Sequence, residues 1–244
     1  MIKFNQLNNS CEACDTCLAP NFSVFNCLTD DEIAQLKMEH SDLSFRYGEL
    51  IFKEKQLPAG IYIITKGKVK VSKSGFEGRE QIVRFAKEND LLGYCALLSN
   101  DRFSCSAFAI SDTEVCFFPK DLLFRLIENN SKLALRFIKI LADDTRNAEE
   151  KATHMAQKTV RERVAESILI LKEVYGFEED GNTINANLKR DEFAGLAGTV
   201  RETATRFLSE LHSDKIICIE GKKIRILDLQ KLERSANPTY LKKK

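Results

Sequence analysis

No stretch of the 244 residues approaches the roughly 18 consecutive uncharged apolar side chains of a membrane span, so none is expected. The first residues, MIKFNQLNNSCEAC, lack the apolar run of a secretory signal, and the expected location is the cytoplasm. No P-loop, nucleophile elbow or GxGxxG opening a helix is present. The three histidines, His40, His154 and His212, show no metal-ligand spacing. The chain is therefore not expected to be an enzyme. An excess of one charge is also lacking: 37 Lys and Arg against 36 Asp and Glu leave +1, which excludes a polycationic DNA coat. With 43% apolar and 30% charged residues, disorder is excluded too. At this length, two modest domains or one large one are expected.

The charge and the cysteines are unevenly placed. From Asn182 onward 13 Lys and Arg face 8 Asp and Glu, a balance of +5, and the remainder carries −4. A basic C-terminal third on a mildly acidic body points to nucleic acid bound at one end. The eight cysteines are Cys11, Cys14, Cys17, Cys27, Cys95, Cys105, Cys116 and Cys218. In a chain that is neither secreted nor small they read as metal or redox chemistry rather than a disulfide framework.

Thr29-Asp30 reads as a helix N-cap before DEIAQLKM. From Phe45 to Pro119 the short runs ELIF, GIYIIT, KVKVSKS, QIVRFA, CSAFAI and EVCFFP alternate with Gly, Pro and Asn-Asp turn signals. That pattern predicts a small jelly roll or barrel. Lys120 to Tyr175 contains no Pro or Gly and reads as helix, with Leu133, Phe137, Ile140 and Leu141 on one apolar stripe. The helix then turns polar at Asp143, Asp144 and Arg146, as a domain connector would, or a dimer seam tight at one end. A second helix is expected from about Thr159 to Tyr175, with Val160, Val164, Ile168 and Leu171 as its apolar stripe. Gly176 and Gly181 bracket the loop that follows.

In the C-terminal third, RDEFAGLAG predicts a short helix ending at Gly198. Thr199 is the expected N-cap of a second helix running to about His212, with Val200, Ala204, Phe207, Leu208 and Leu211 as its buried face. KIICIEGKKIRIL alternates on either side of Gly221, as a hairpin would. Helix, turn, helix and hairpin make a winged helix-turn-helix, whose second helix enters the major groove. Its other face carries Arg201, Glu202, Thr205 and Arg206, with Lys222 in the wing. Arginine matches the guanine O6/N7 acceptors, glutamate accepts from cytosine N4, and threonine offers a methyl to thymine or a hydroxyl to phosphate. The plain alternative is a solvated charged face with an ordinary ion pair.

From Leu28 to Leu232 the chain resembles the CRP/FNR family of bacterial transcription regulators. Arg201-Glu202-Thr203-Ala204-Thr205-Arg206 is similar to the family's recognition motif, which implies Glu202 and Arg206 as base readers. Arg201 resembles the catabolite-activator version, and Thr205 the hydroxyl residue of the oxygen-sensing version. The resemblance implies an α+β chain with a cysteine-rich arm (1–27) and a cyclic-nucleotide-binding-type β-roll (28–119). A dimerisation helix (120–156) and a winged helix-turn-helix (157–244) would follow. It also implies a homodimer on an inverted-repeat operator with a TGA core, and RNA polymerase as a partner.

For the sensed signal, Gly93-Tyr94-Cys95 and Cys105-Ser106 stand where cyclic-nucleotide members carry Gly-Glu-Leu and Arg-Ser. The ribose-binding carboxylate and the phosphate-binding arginine are both replaced, so cyclic AMP is disfavoured. Another small molecule in the roll, or a filled roll that binds nothing, remains open. Cys11-x2-Cys14-x2-Cys17 is the spacing that presents three thiolates to a [4Fe–4S] cluster. Cys27, Cys95, Cys105 and Cys116 are candidates for the fourth ligand. Cys116, in Val115-Cys116-Phe117-Phe118-Pro119, resembles the distant cysteine of the oxygen-sensing members, although their N-terminal spacing is longer. A zinc site, redox-active thiols or free thiols are the competing readings. The expected function is thus an effector-gated regulator sensing oxygen or redox state. The alternative is a cofactor-free or small-molecule-responsive regulator with no iron–sulfur cluster.

Overall fold

The computed structural model describes residues 24–75, 78, 80–186 and 189–237. Cys11, Cys14 and Cys17, and the tail from Pro238, lie outside the described residues. The chain falls into two compact units, Met1–Lys73 with Arg84–Asn147, and Ser74–Val83 with Ala148–Lys244.

In the first unit, Thr29 opens α1 (Asp30–Glu39) through a reciprocal box: its hydroxyl accepts from the Glu32 N–H, and the Glu32 carboxylate accepts from the Thr29 N–H at 2.8 Å. Eight strands follow: β1 (Ser41–Phe45), β2 (Leu50–Phe52), β3 (Gly60–Lys66), β4 (Lys68–Ser74), β5 (Glu80–Lys87), β6 (Leu91–Leu92), β7 (Ser106–Ala109) and β8 (Thr113–Pro119). They form two four-stranded sheets ordered β1-β8-β3-β6 and β2-β7-β4-β5, which is the expected roll. GIYIIT has no polar face because both of its faces are covered. Ile61 and Ile63 join a core with Leu36, Leu122 and Leu133 under the helices, while Ile64 joins a second core with Val69, Val71 and Phe103 between the sheets. On β8, Val115 enters the inner core, and Cys116 and Phe118 the outer one. Gly60 pairs with Pro119, and a side chain there would collide with the Phe118 carbonyl. A short helix that the sequence pattern did not reveal, α2 (Tyr94–Leu98), starts at Gly93 in a left-handed conformation, φ +85°.

The helix expected to run unbroken from Lys120 is two helices, α3 (Lys120–Asn129) and α4 (Ser131–Gln157). The break has a local cause at Asn130, whose backbone is extended (φ −127°, ψ 96°). Its side-chain oxygen accepts from the Lys132 and Leu133 N–H groups at 3.1 and 3.2 Å, capping α4. Its Nδ2 donates to the Glu32 carboxylate at 2.9 Å. The stripe read as a dimer seam also faces elsewhere. Leu133 and Phe137 are buried in the roll's outer core, with Ile140 and Leu141 packed against it. The large apolar side chains that α4 leaves uncovered are Leu135, 65% exposed, and Ile138, 60% exposed, with the exposed Ala142 a turn further on.

The second unit takes in Ser74–Val83, and so the start of β5, together with the chain from Ala148 within α4 onward. Thr159 caps α5 (Val160–Tyr175) through a box with Glu162, and Val164, Ile168 and Leu171 are buried as expected, while Val160 is half-buried. α5 packs on α6 (Arg190–Ala197), α7 (Arg201–Ser213) and α8 (Leu229–Ala236). The hairpin β9 (Ile217–Glu220) and β10 (Lys223–Ile226) turns at Gly221, φ +64°. The Gly176–Gly181 loop is bound into this unit: Thr183 bridges to Arg225, and Asp180 accepts from the Thr183 and Asn182 N–H groups. α8 was not expected; Asp228 caps it through the Lys231 N–H.

Candidate nucleic-acid interface and sensor residues

α6 ends on Gly198, whose left-handed backbone (φ +61°) turns the chain toward α7. The N-cap of α7 is Val200, with no side-chain bond, and Thr199 lies one residue before it, its N–H bonded to the Ala194 carbonyl inside the turn. Ala204, Leu208 and Leu211 bury one face of α7, with Phe207 half-buried. The opposite face leaves Arg201, Glu202 and Arg206 exposed. Arg206 lies over the Phe207 ring at 4.6 Å and 3.8 Å from Glu210, while Arg201 lies 3.8 Å from Asp191. These pairs are well exposed, so they orient the guanidiniums without holding them back from a stronger partner. The Thr205 hydroxyl donates to the Arg201 carbonyl at 2.8 Å, so it is turned onto its own helix and the methyl is the group left to offer.

Lys222 sits exposed at the wing tip. Beside it is a residue that the sequence pattern did not single out. Arg190, first in α6, donates from Nη2 to the Gly221 carbonyl at 3.3 Å, and its Nη1 is buried without a hydrogen-bond partner. Burial and then the Arg201 charge lower its pKa. A guanidinium with a buried N–H left over is a donor that an anion could satisfy. The wing is braced from behind: Lys223 pairs with Glu178, Arg225 with Glu220, and His212 Nδ1 accepts from the Ile219 N–H at 3.2 Å.

In the roll, Gly93, Tyr94 and Cys95 form the start of α2. The Tyr94 ring is buried, and its hydroxyl donates to the Asp144 carboxylate on α4. Cys95 Sγ lies 4.0 Å from the same oxygen. Burial, then the bond to Asp144, pushes the Tyr94 phenol up, and burial, then Asp144, does the same to the Cys95 thiol. The Cys105 thiol is also pushed up by burial, and Ser106 Oγ accepts from the Glu54 N–H at 3.0 Å. Arg84, which acts electrostatically on Tyr94, Cys95 and Cys105, donates to the Leu91 carbonyl at 2.9 Å. The position where a nucleotide phosphate would need a cation therefore holds a thiol whose pKa burial raises, with the Arg84 guanidinium held nearby by one bond to the backbone.

Cys116 has no exposed surface, and its thiol donates to Asp42 at 3.3 Å. Cys27 is half-buried against the same core, and Cys218 is half-buried in β9. Among the described residues no group of three or more His, Cys, Asp or Glu is placed to hold a metal ion. A site on these cysteines would draw most of its ligands from Cys11, Cys14 and Cys17. His40 is engaged with the Lys37 carbonyl and His154 with Glu166. No helix among the described residues is long and apolar enough to cross a membrane.

Two family models match the chain: "Cyclic nucleotide-binding domain" over residues 42–130 and "Crp-like helix-turn-helix domain" over residues 162–235. The chain is 26% identical over 214 residues to the CRP-like cAMP-activated global transcriptional regulator of Mycobacterium tuberculosis, covering 87% of this chain and 96% of that one. It is 26% identical over 224 residues to the nitrogen fixation regulation protein FixK of Bradyrhizobium diazoefficiens, covering 91% and 93%. The crystal structure of a putative transcriptional regulator of the crp/fnr family from Eubacterium rectale shares the fold. Its TM-score is 0.78 at 18% identity, over 88% of this chain and 98% of that one.

Proposed function

Since the chain belongs to the CRP/FNR family of transcription regulators, which are DNA-binding proteins and not enzymes, we propose that it reads an inverted-repeat operator as a homodimer. α7 would lie in the major groove and the wing along the flanking backbone, with half-sites about one helical turn, ~34 Å, apart. Glu202 and Arg206 would read bases, joined by Arg201 and the Thr205 methyl, while Lys222 and Arg190 would hold phosphates. One observation supports this most strongly: Arg190, at the start of α6, is tied to the wing turn through the Gly221 carbonyl and keeps a buried N–H unspent. The strip of Leu135, Ile138 and Ala142 would be the dimer seam. RNA polymerase would be the partner at a promoter, and the work would be done in the cytoplasm.

For the signal, we propose a [4Fe–4S] cluster on Cys11, Cys14, Cys17 and Cys116, which would supply an oxygen-labile redox centre. Two facts bear on the fit. Val24 and Phe25 pack in the core that holds Cys116, so the chain leading back to Cys17 starts there. The Cys116 thiol would have to give up its proton and its bond to Asp42. Cys27, half-buried on that core, is the competing fourth ligand. Cyclic AMP is not the proposed effector, because Cys105 stands where the phosphate needs a cation. A cofactor-free regulator is the remaining alternative.

The regulator reading is tested by selecting duplexes from a random-sequence library with purified protein, anaerobic and aerobic in parallel. A selected palindrome protected as two half-sites one turn apart is the expected result. Enrichment of no sequence in either condition would remove it.

A further inference from the structure

Near the start of α5 one guanidinium joins two helix ends, and the DNA-facing residues do not account for it. Arg163 Nε donates to the Ala197 carbonyl at 2.8 Å. Its Nη1 donates to the Lys158 carbonyl at 2.7 Å and to the Met155 carbonyl at 3.3 Å. All three acceptors belong to helix C-termini: Met155 lies in the last turn of α4, Lys158 just beyond it, and Ala197 is the last residue of α6. Carbonyls at such ends have no partner within their own helix and carry the negative end of its dipole. A planar cation with donors fixed along several directions can satisfy two such ends at once, whereas an ammonium on a flexible stem cannot hold them in a set geometry. Ala197 is buried, so its carbonyl depends on a protein donor.

A second contact reinforces the first. Gly198 lies against Met155, and a side chain at position 198 would run into the methionine. Only Gly198, Thr199 and Val200 separate Ala197 from the first residue of α7. The turn that aims α7 is therefore fastened to the end of α4, and the fastening is Arg163.

We propose that Arg163 is a positioning residue for operator recognition: it couples the C-terminal end of α4 to the aim of α7. The inference rests on the DNA-binding reading above. A displacement at the end of α4 is carried by this clamp to the side chains that face the bases.

The test uses the full chain as wild type, Arg163→Lys and Arg163→Gln. Affinity is measured for an operator selected by the wild type and for a random duplex of the same length, with thermal unfolding followed alongside. Arg163→Lys keeps the charge and much of the volume, so it carries the test if Arg163→Gln does not fold. The expected result is an operator affinity lower by about tenfold, the scale of one well-made base contact. Random-duplex affinity and its salt dependence should stay as in the wild type. A role confined to stability would lower both affinities together, and so would a direct phosphate contact. Parallel losses overturn the inference, and so does wild-type operator affinity in the folded variants. A wild type that selects no sequence removes the DNA-binding reading itself, and this inference with it.

Discussion

A guanidinium that reads a base and a cation that touches a phosphate lose different things when removed. The proposed reading puts Arg206, exposed and steadied by Phe207 and Glu210, in the first class. Arg206→Ala should cost about 1–3 kcal/mol at the selected operator and relax preference at one base pair, measured by binding to a panel of single-base variants. Lys222→Ala and Arg190→Ala should weaken selected and random DNA about equally, and each should lower the salt slope by about 1. Equal losses on both DNAs for Arg206→Ala would move it to the backbone-contacting class. Arg206, Arg201 and Lys222 were legible in the sequence as exposed cations, because RETATR and GKK are local patterns with a helix or a turn around them. Arg190 was not. Its proposed role depends on a carbonyl 31 residues away, which no local spacing records. Thr199 misled because threonine is a good cap by type, whereas its backbone closes the turn onto Ala194 and the helix starts one residue later.

At the scale of elements, α4 shows what periodicity can and cannot tell. Leu133, Phe137, Ile140 and Leu141 recur at helical spacing, and they do form a buried face. Periodicity marks an apolar face without saying whether the chain's own roll or a second copy covers it. Burial separates the two, since Leu133 is enclosed in the outer core while Leu135 and Ile138 face outward. Their substitutions should therefore part company. Leu135→Asp should leave the melting profile near that of the wild type but shift sedimentation from dimer to monomer, with operator binding lost. Leu133→Ala should instead cost about 2–5 kcal/mol of folding stability, as a cavity in a packed core does. A Leu135→Asp protein that still sediments as a dimer would move the seam off this strip. The roll and the winged helix were legible because each alternates or repeats in a way that its turns punctuate. The break at Asn130 was missed although its cap is local, because the apolar stripe runs on across it, and the bond to Glu32 that holds the side chain joins residues 98 positions apart.

For the whole molecule, the question is how the N-terminal cysteines could reach the DNA-binding end. Val24 and Phe25 pack in the core that contains Cys116, Leu133 and Phe137, and Cys17 is seven residues before Val24. A span of seven residues reaches at most about 25 Å, so a cluster using Cys17 would be tethered close to that core. Leu133 and Phe137 are on α4, whose other side carries Leu135 and Ile138 and whose far end is clamped by Arg163. Gain or loss of metal ligation at Cys116 would thus alter packing on one side of the helix whose opposite side we assign to the dimer seam. A switch needs such a difference in contacts between its two states. Protein purified without air should be brown, hold about four irons per chain and bleach on exposure to air, with operator affinity falling in step. Serine at Cys11, Cys14 or Cys17 should abolish the colour, and serine at Cys218 should not. Loss of colour in Cys116→Ser with retention in Cys27→Ser assigns the fourth ligand to Cys116, and the reverse assigns it to Cys27. An anaerobic preparation that is colourless and free of iron, yet binds its operator in full, would end the cluster reading. It would leave a regulator whose α4 is set by some other input or by none.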